Sequence, residues 1–274
     1  MRAATGVLRL PLRSGQWRGA TGSVLGQGTG SSIDFQDQRA YVPGDDPRHI
    51  NWQATARTGN PTMKLFRQEV TPRVDLLLDL SASMFLTPAK TERTWELVYF
   101  CIESALRLGG ALRIHLLGQT LQEQPVQTAL AYAWPSSDGV TTDLPTALSQ
   151  VPFRQGSLRL LISDLLSDSP PERALPALTA AQGRPILFVP FCQEEASPDW
   201  EGNIEFEDSE TLQRSHRRVT PDLRQRYARA YQTHFQLWHD QATRHRAPLA
   251  RLPAEIPFLE AMQAEALPTG AVEV

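Results

Sequence analysis

The run Arg73-Val74-Asp75-Leu76-Leu77-Leu78-Asp79-Leu80-Ser81-Ala82-Ser83-Met84 decides how this chain is read. Val74 to Leu78 is almost continuously aliphatic, the pattern of a strand buried on both faces of a parallel sheet. It runs into Asp79, Ser81 and Ser83, a carboxylate and two hydroxyls at every second position. On the loop leaving the carboxyl end of such a strand, three oxygen-bearing side chains can converge on one hard cation. Asp and Ser also make turns and cap helices, so a D-x-S-x-S pattern needs remote ligands before it signifies a site.

Outward from this run, two segments supply such ligands. Thr141 and Thr142 lie in a polar loop, 136–144, that opens a helix carrying Leu144, Ala147 and Leu148. Asp164 follows a second buried aliphatic run, Leu158 to Ile162. Both positions belong to loops after the carboxyl ends of strands, where open α/β sheets bind their ligands. Further strands are expected at Ala111 to Leu117 and Arg184 to Val189, with helices at Thr91 to Leu108 and Pro171 to Ala181. Strand and helix alternating in this way predict a doubly wound, mostly parallel α/β sheet. Gln122 to Trp134 is weakly patterned and suits a short edge strand.

Toward the C-terminus, Ile204 to Phe206 is a short strand and Pro221 to Arg246 a long amphipathic helix. Arg214, Arg217, Arg218, Arg224, Arg226 and Arg229 make its approach and first turns basic, a pattern best explained as a solvated face. Gly270 to Val274 is expected to be disordered.

Before the central strand, Val7 to Leu12 alternates like an edge strand. Gly19, Gly22, Gly26, Gly28 and Gly30 then follow. They fit neither G-x-G-x-x-G nor the P-loop spacing, so a flexible loop is expected. Pro43-Gly44 is a turn, Asp45 or Asp46 caps a short helix, and that helix delivers Trp52 to the core before a strand at Thr62 to Phe66. Asp45, Asp46, Arg48 and Arg57 form a weak candidate surface for a partner, against the simpler role of capping and pairing within the fold. The division expected is an N-terminal β-rich extension over 1–70, an α/β domain over 71–260 and a tail over 261–274.

The totals bound the rest. A chain of 274 residues with 41% hydrophobic content is long and apolar enough for a substantial core. A net charge of −3 gives no bulk attraction to nucleic acid or acidic membranes. Lys occurs only at Lys64 and Lys90, which is attributed to genome composition. Cys101 and Cys192 do not make a disulfide framework, and no Cys or His pair has zinc-ligand spacing. With no signal-peptide core and no window approaching a membrane span, a cytoplasmic location without direct membrane insertion is expected.

Asp79/Ser81/Ser83, a Thr ahead of Asp-Leu-x-x-Ala-Leu, and Ser-Asp after a hydrophobic strand together resemble the metal-ion-dependent adhesion site of von Willebrand factor A domains. The resemblance implies that Asp79, Ser81, Ser83, Thr142 and Asp164 surround a divalent cation, Mg2+ or else Mn2+ or Ca2+, with Thr141 as the alternative to Thr142. It also implies a coordination position left open for an acidic residue of a partner protein. The segment Tyr41-x-Pro-Gly-Asp-Asp-x-Arg-x-Ile-x-Trp-x-x-Thr-Ala-Arg57 extends the likeness. Placed before such a half, it resembles the bacterial family of domains of unknown function numbered fifty-eight, over about Gly19 to Glu260. The family pattern has Asp before the Trp, and here Asn51 stands there.

Members of that family are typically encoded beside MoxR-type AAA+ ATPases. The implied function is therefore metal-dependent docking with such an ATPase during chaperone-like assembly or maturation of client proteins. Two alternatives remain at this point: a metal-dependent hydrolase using the same loops, and a metal-free adaptor acting through Tyr41 to Arg57. Against hydrolysis, Ser81 stands where a D-x-D phosphatase has its second Asp, and there is no G-x-S-x-G elbow. No catalytic residue is assigned.

Overall fold

The computed structural model describes residues 4–12, 21–29, 35–135, 143–209 and 213–274. They fall into two compact units, Leu12–Pro72 and Met1–Pro11 with Arg73–Val274.

In the smaller unit, β1 (Thr21–Thr29), β2 (Phe35–Ala40) and β3 (Thr62–Val70) form an antiparallel sheet with β3 in the centre. Much of the glycine-rich stretch is thus strand and not loop. Its pairing with β3 shifts register between Thr21 and Val24 and again between Gly26 and Thr29, irregularities at which glycine costs least. A single 3-10 turn, Pro47–His49, and α1 (Trp52–Thr58) lie between β2 and β3. Asn51 accepts from the Ala54 amide at 3.3 Å and so caps α1, a task Asn performs as well as Asp. Gly59 ends the helix in the left-handed region, at φ 75°. Trp52 does not enter the core: as the first residue of α1 it turns outward and is 68% exposed, while Ala54 is the buried residue.

The charges of this segment pair locally. Arg39 holds Asp45 through two hydrogen bonds of 2.6 and 2.7 Å. Arg48 holds Asp46 at 2.7 Å, and the Nε of Arg57 reaches the Gln53 carbonyl at 3.4 Å.

In the larger unit, β4 (Arg73–Asp79), β5 (Ala111–Leu117), β6 (Leu121–Gln124), β7 (Leu158–Ile162), β8 (Arg184–Phe191) and β11 (Leu249–Pro253) form one sheet in the order β11-β8-β7-β4-β5-β6. All neighbours are parallel except β6, which returns antiparallel along the β5 edge. The fold is therefore mixed α/β around a mostly parallel sheet. Leu77, Leu161 and Leu187 point to one face, packed with Leu148 of α4 (Leu144–Gln150), Leu175 of α5 (Pro171–Thr179) and Trp238 of α7 (Pro221–Arg244). The alternate residues Leu76, Leu78 and Leu160 are equally buried and turn the other way. Helix α2 (Pro88–Arg107) runs along β4, β5, β7 and β8 and contributes nothing to the first cluster. A short helix, α3 (Val126–Leu130), follows β6, and another, α6 (Gln193–Ala196), follows β8. After α6, β9 (Gly202–Glu207) and β10 (Arg214–Val219) form a separate two-stranded antiparallel ribbon. Among the described residues, no helix is long and apolar enough to cross a membrane.

The ends depart from expectation. Residues 4–7 are helical, and Arg9 makes an isolated bridge in place of an edge strand over 7–12. Leu8 and Leu10 are buried, and the Leu10 amide donates to Ser104 Oγ of α2 at 2.8 Å. This attaches the first eleven residues to the larger unit rather than to the extension. The last residues are packed, not disordered: Ala271 and Val272 are buried. Arg9 and Glu273 exchange two backbone hydrogen bonds of 2.8 Å each, supported by a side-chain ion pair at 3.2 Å.

Candidate metal centre at the carboxyl edge of the sheet

The chain leaves β4 toward β5 and β6 on one side and then returns to β7 on the other. That reversal makes a topological switch point, with a crevice at the carboxyl ends of β4 and β7. Leu78 pairs with Ile162, so the loops that begin at Asp79 and Ser163 start side by side.

Local chemistry shapes both loops. Asp79 Oδ1 accepts from the Ser81 amide at 2.9 Å, the side-chain turn that Asp favours. Ser81 and Ser83 bring their hydroxyls to 3.1 Å from each other. Across the strands, Ser163 Oγ donates to Asp79 Oδ2 at 2.7 Å and accepts from the Leu165 amide at 3.1 Å. Asp164 Oδ1 accepts from the Leu166 amide at 3.1 Å, and the Asp164 amide donates to Met84 Sδ at 3.0 Å. Leu165 is buried with φ at +59°, a left-handed conformation that costs a non-glycine residue about 1–3 kcal/mol. His234 of α7 meets the Leu165 carbonyl at 2.7 Å and holds this turn.

Lys90, in the first turn of α2, is the residue that sequence reasoning missed. Its side chain is fully buried, and Nζ donates to Asp164 Oδ2 at 2.9 Å and to Glu195 Oε1 at 2.5 Å. Burial pulls the ammonium down, but Asp164 and Glu195 outweigh it and leave Lys90 above its usual value. Asp164 Oδ2 carries the Lys90 ammonium, whose positive charge opposes direct contact with a second cation, so Asp164 is suited to meet one through water.

Asp79, Ser81, Ser83 and Asp164 all line one cavity of about 520 Å³. Thr141 and Thr142 lie outside the described residues; Asp143, the next residue in the chain, lines the same cavity. Asp143 accepts from Thr146 Oγ1 at 3.2 Å and Ser167 Oγ at 3.3 Å. Asp168 and Asp208 complete five aspartates on the wall, and the Lys90 pair answers one of them.

Burial, and next the charge of Asp164, push the Asp79 carboxyl up to about 6 against the bonds from Ser163 and Ser81. The fold thus binds this proton more tightly than the unfolded chain does. Metal-free stability is expected to fall as pH rises from 3.8 toward 6, with no further loss from this group above that. Denaturation midpoints in chelator at about pH 4.5 and about pH 7, compared with those of Asp79→Asn, check this: the variant lacks this part of the slope.

The donors fit a hard divalent cation. They are all oxygens, and the wall is acidic. A crowded carboxylate is also the kind of group that a cation relieves. Among the described residues, no three His, Cys, Asp or Glu side chains are grouped to hold a metal by themselves. A cation here would therefore depend on the Ser81 and Ser83 hydroxyls alongside Asp79, with water completing the shell.

Comparison with known proteins gives one family and several distant relatives. A family model described as "Protein of unknown function DUF58" matches residues 37–236. An uncharacterized protein of Mycobacterium tuberculosis is 27% identical over 246 residues, covering 84% of this chain and 74% of its own length. An uncharacterized protein of Mycobacterium bovis matches to the same extent. Among solved structures, an aerotolerance-related membrane protein from Bacteroides fragilis is 13% identical, covering 62% of this chain and 99% of its own, with a TM-score of 0.36. The conserved hypothetical protein BatB from Bacteroides thetaiotaomicron covers 63% and 99%, at 13% identity and the same TM-score of 0.36.

Proposed function

Since the chain belongs to the DUF58 family, we propose that its larger unit is a von Willebrand factor A-like, doubly wound module that binds a partner protein through a divalent cation. The observation that carries this reading is the convergence of Asp79, Ser81, Ser83 and Asp164, from two loops, on one wall of one crevice. Ser81 and Ser83 supply neutral oxygens, Asp79 supplies the charged one, and Ser163 fixes its orientation. Asp164, balanced by Lys90, orders water at the rim. Mg2+, when bound, supplies a positive centre with a position that a partner's carboxylate can take. With few anionic ligands in direct reach, the ion keeps attraction for that carboxylate.

The partner class comes from the family resemblance: a MoxR-type AAA+ ATPase, with which this protein acts in assembly or maturation of client proteins. The reading is of a binding module, not an enzyme, and of a protein not inserted directly in the membrane. A MoxR-type AAA+ ATPase, purified and immobilised, is the test ligand. Binding is expected in millimolar Mg2+ and is lost in EDTA and in Ser81→Ala. Binding undiminished in EDTA would overturn the metal-bridged reading. Mg2+-dependent turnover of phosphoesters or peptides that disappears in Asp79→Ala would replace it with catalysis.

A further inference from the structure

Beside the acidic crevice lies a second cavity of about 550 Å³, between the β9–β10 ribbon and the first turns of α7. The two adjoin at Asp208, which lines both. Alternation along β9 turns Ile204 and Phe206 inward and Glu205 outward, while Glu207 at the strand's end reaches the cavity wall. On β10, Ser215 and Arg217 face the cavity together with the buried Val219. Trp200 stacks edge-on against Phe206 at 5.4 Å between ring centroids, and Leu223 and Tyr227 close the wall from α7. A two-stranded ribbon is marginal unless it packs against something, and here both strands are largely exposed.

Both signs of charge line this cavity, where the charged residues of its neighbour are all acidic: Glu207 and Asp208 stand with Arg217 and Arg224. Arg217 and Arg224 line it, and Arg218 and Arg229 stand exposed on the same two elements. Among the described residues, none of these four arginines forms an ion pair, whereas Arg214 is held by Glu207 at 2.6 Å and Arg226 by Asp222 at 3.2 Å. Glu207 on the wall is engaged by Arg214, which leaves Arg217 and Arg224 beside an apolar recess without an ion-pair partner among the described residues. This has a direct bearing on the acidic crevice, whose own wall repels a carboxylate until a cation is in place.

We propose that this recess docks an acidic, apolar segment of a partner protein: one large apolar side chain enters between Trp200, Phe206 and Leu223 while flanking carboxylates pair with Arg217 and Arg224. The inference deepens the reading of the neighbouring crevice as a protein-binding site, and rests on it. The arginines supply the long-range attraction for an acidic partner that the aspartate wall lacks. The two recesses also share a hydrogen-bonded path. Tyr227 donates to the Glu195 carbonyl at 2.7 Å, and Lys90 joins the Glu195 carboxylate at 2.5 Å to Asp164 at 2.9 Å.

A displayed library of random dodecapeptides, selected against the full chain in Mg2+ and separately in EDTA, tests the proposal. Selected sequences are expected to combine a large apolar residue with flanking Asp or Glu. A synthetic peptide of the consensus should bind at least about tenfold more weakly to Arg217→Glu/Arg224→Glu and to Leu223→Ser, and more weakly as salt rises. Both variants alter side chains that are not fully buried, and thermal unfolding verifies that they fold. Retention of peptide binding by both variants overturns the proposal, as does absence of enrichment, enrichment of basic sequences, or equal binding of single-stranded RNA. Loss in Asp79→Ala but not in the arginine or leucine variants sinks the recess and spares the metal crevice. Peptide binding that persists in EDTA and needs Arg217, with ATPase binding indifferent to chelator, does the reverse.

Discussion

Replacing Lys90 with methionine is expected to destabilise the larger unit by about 3–5 kcal/mol, the usual consequence of removing one partner from a buried ion pair. The side chain is fully buried, and its two partners, Asp164 and Glu195, keep side-chain exposures of only 5% and 16%. Methionine fills much of the same volume, so most of the loss comes from stranding carboxylates and little from packing. Thermal unfolding should show a fall of roughly 10 °C or more. Neutralising both acids in the same background, with Asp164→Asn and Glu195→Gln, should recover most of that loss, because an uncharged triad of similar shape pays no desolvation cost. If the triple variant is no more stable than Lys90→Met alone, the buried charges are not the cause. In the single variant Mg2+ should also stabilise more than it does in the unaltered protein, since Asp164 has lost its internal cation.

Asp79→Asn should move stability and cation binding in opposite directions. Without metal, the variant is expected to be more stable near neutral pH, by up to about 3 kcal/mol, because one pH unit of displacement corresponds to about 1.4 kcal/mol and burial with Asp164 lifts the Asp79 carboxyl to about 6. Asparagine can still accept from the Ser81 amide and meet the Ser163 hydroxyl, so the loop keeps its shape. A divalent cation bound as proposed would lose its one charged ligand outside the Lys90 pair, and its affinity should drop at least about 100-fold, beyond the range seen for losing a mere supporting partner. Calorimetric titration with Mg2+ and denaturation in chelator measure the two effects separately. A variant that is both less stable and undiminished in cation binding would mean that Asp79 is a structural residue. A site residue that costs the fold stability is the common signature of function.

How much of this was visible beforehand depended on whether the signal was local. That Asp79, Ser81, Ser83 and Asp164 share one rim was legible because each follows an aliphatic run, and buried parallel strands place their following loops together. Strand Leu158–Ile162 has the bounds expected of it, since an unbroken apolar run flanked by polar residues leaves little choice of ends. Lys90 was not legible: a lysine beside Pro88 in a first turn looks solvated, and only the three-dimensional approach of Asp164 and Glu195 buries it. A faint signal did exist, in that a chain with 27 basic residues has lysine at only two positions, and one of them is this buried ammonium.

Trp52 misled because an apolar residue near a capped helix suggests a core anchor, yet its position at the very start of α1 turns it away from Ala54. The β-structure of Thr21–Thr29 was hidden by glycines whose low strand propensity is overridden by pairing with β3. β10 was hidden by charge, since Arg214–Val219 has five exposed residues out of six and so little alternation to detect.

The pairing of Arg9 with Glu273, 264 residues apart, sets the order in which a nascent chain can acquire its structure. The antiparallel sheet of Leu12–Pro72 has all its partners within a short span and can form while synthesis continues. The larger unit cannot close this bridge until Glu273 has been made, so the contact between its two ends forms late, after its first residues can already have met Ser104 of α2.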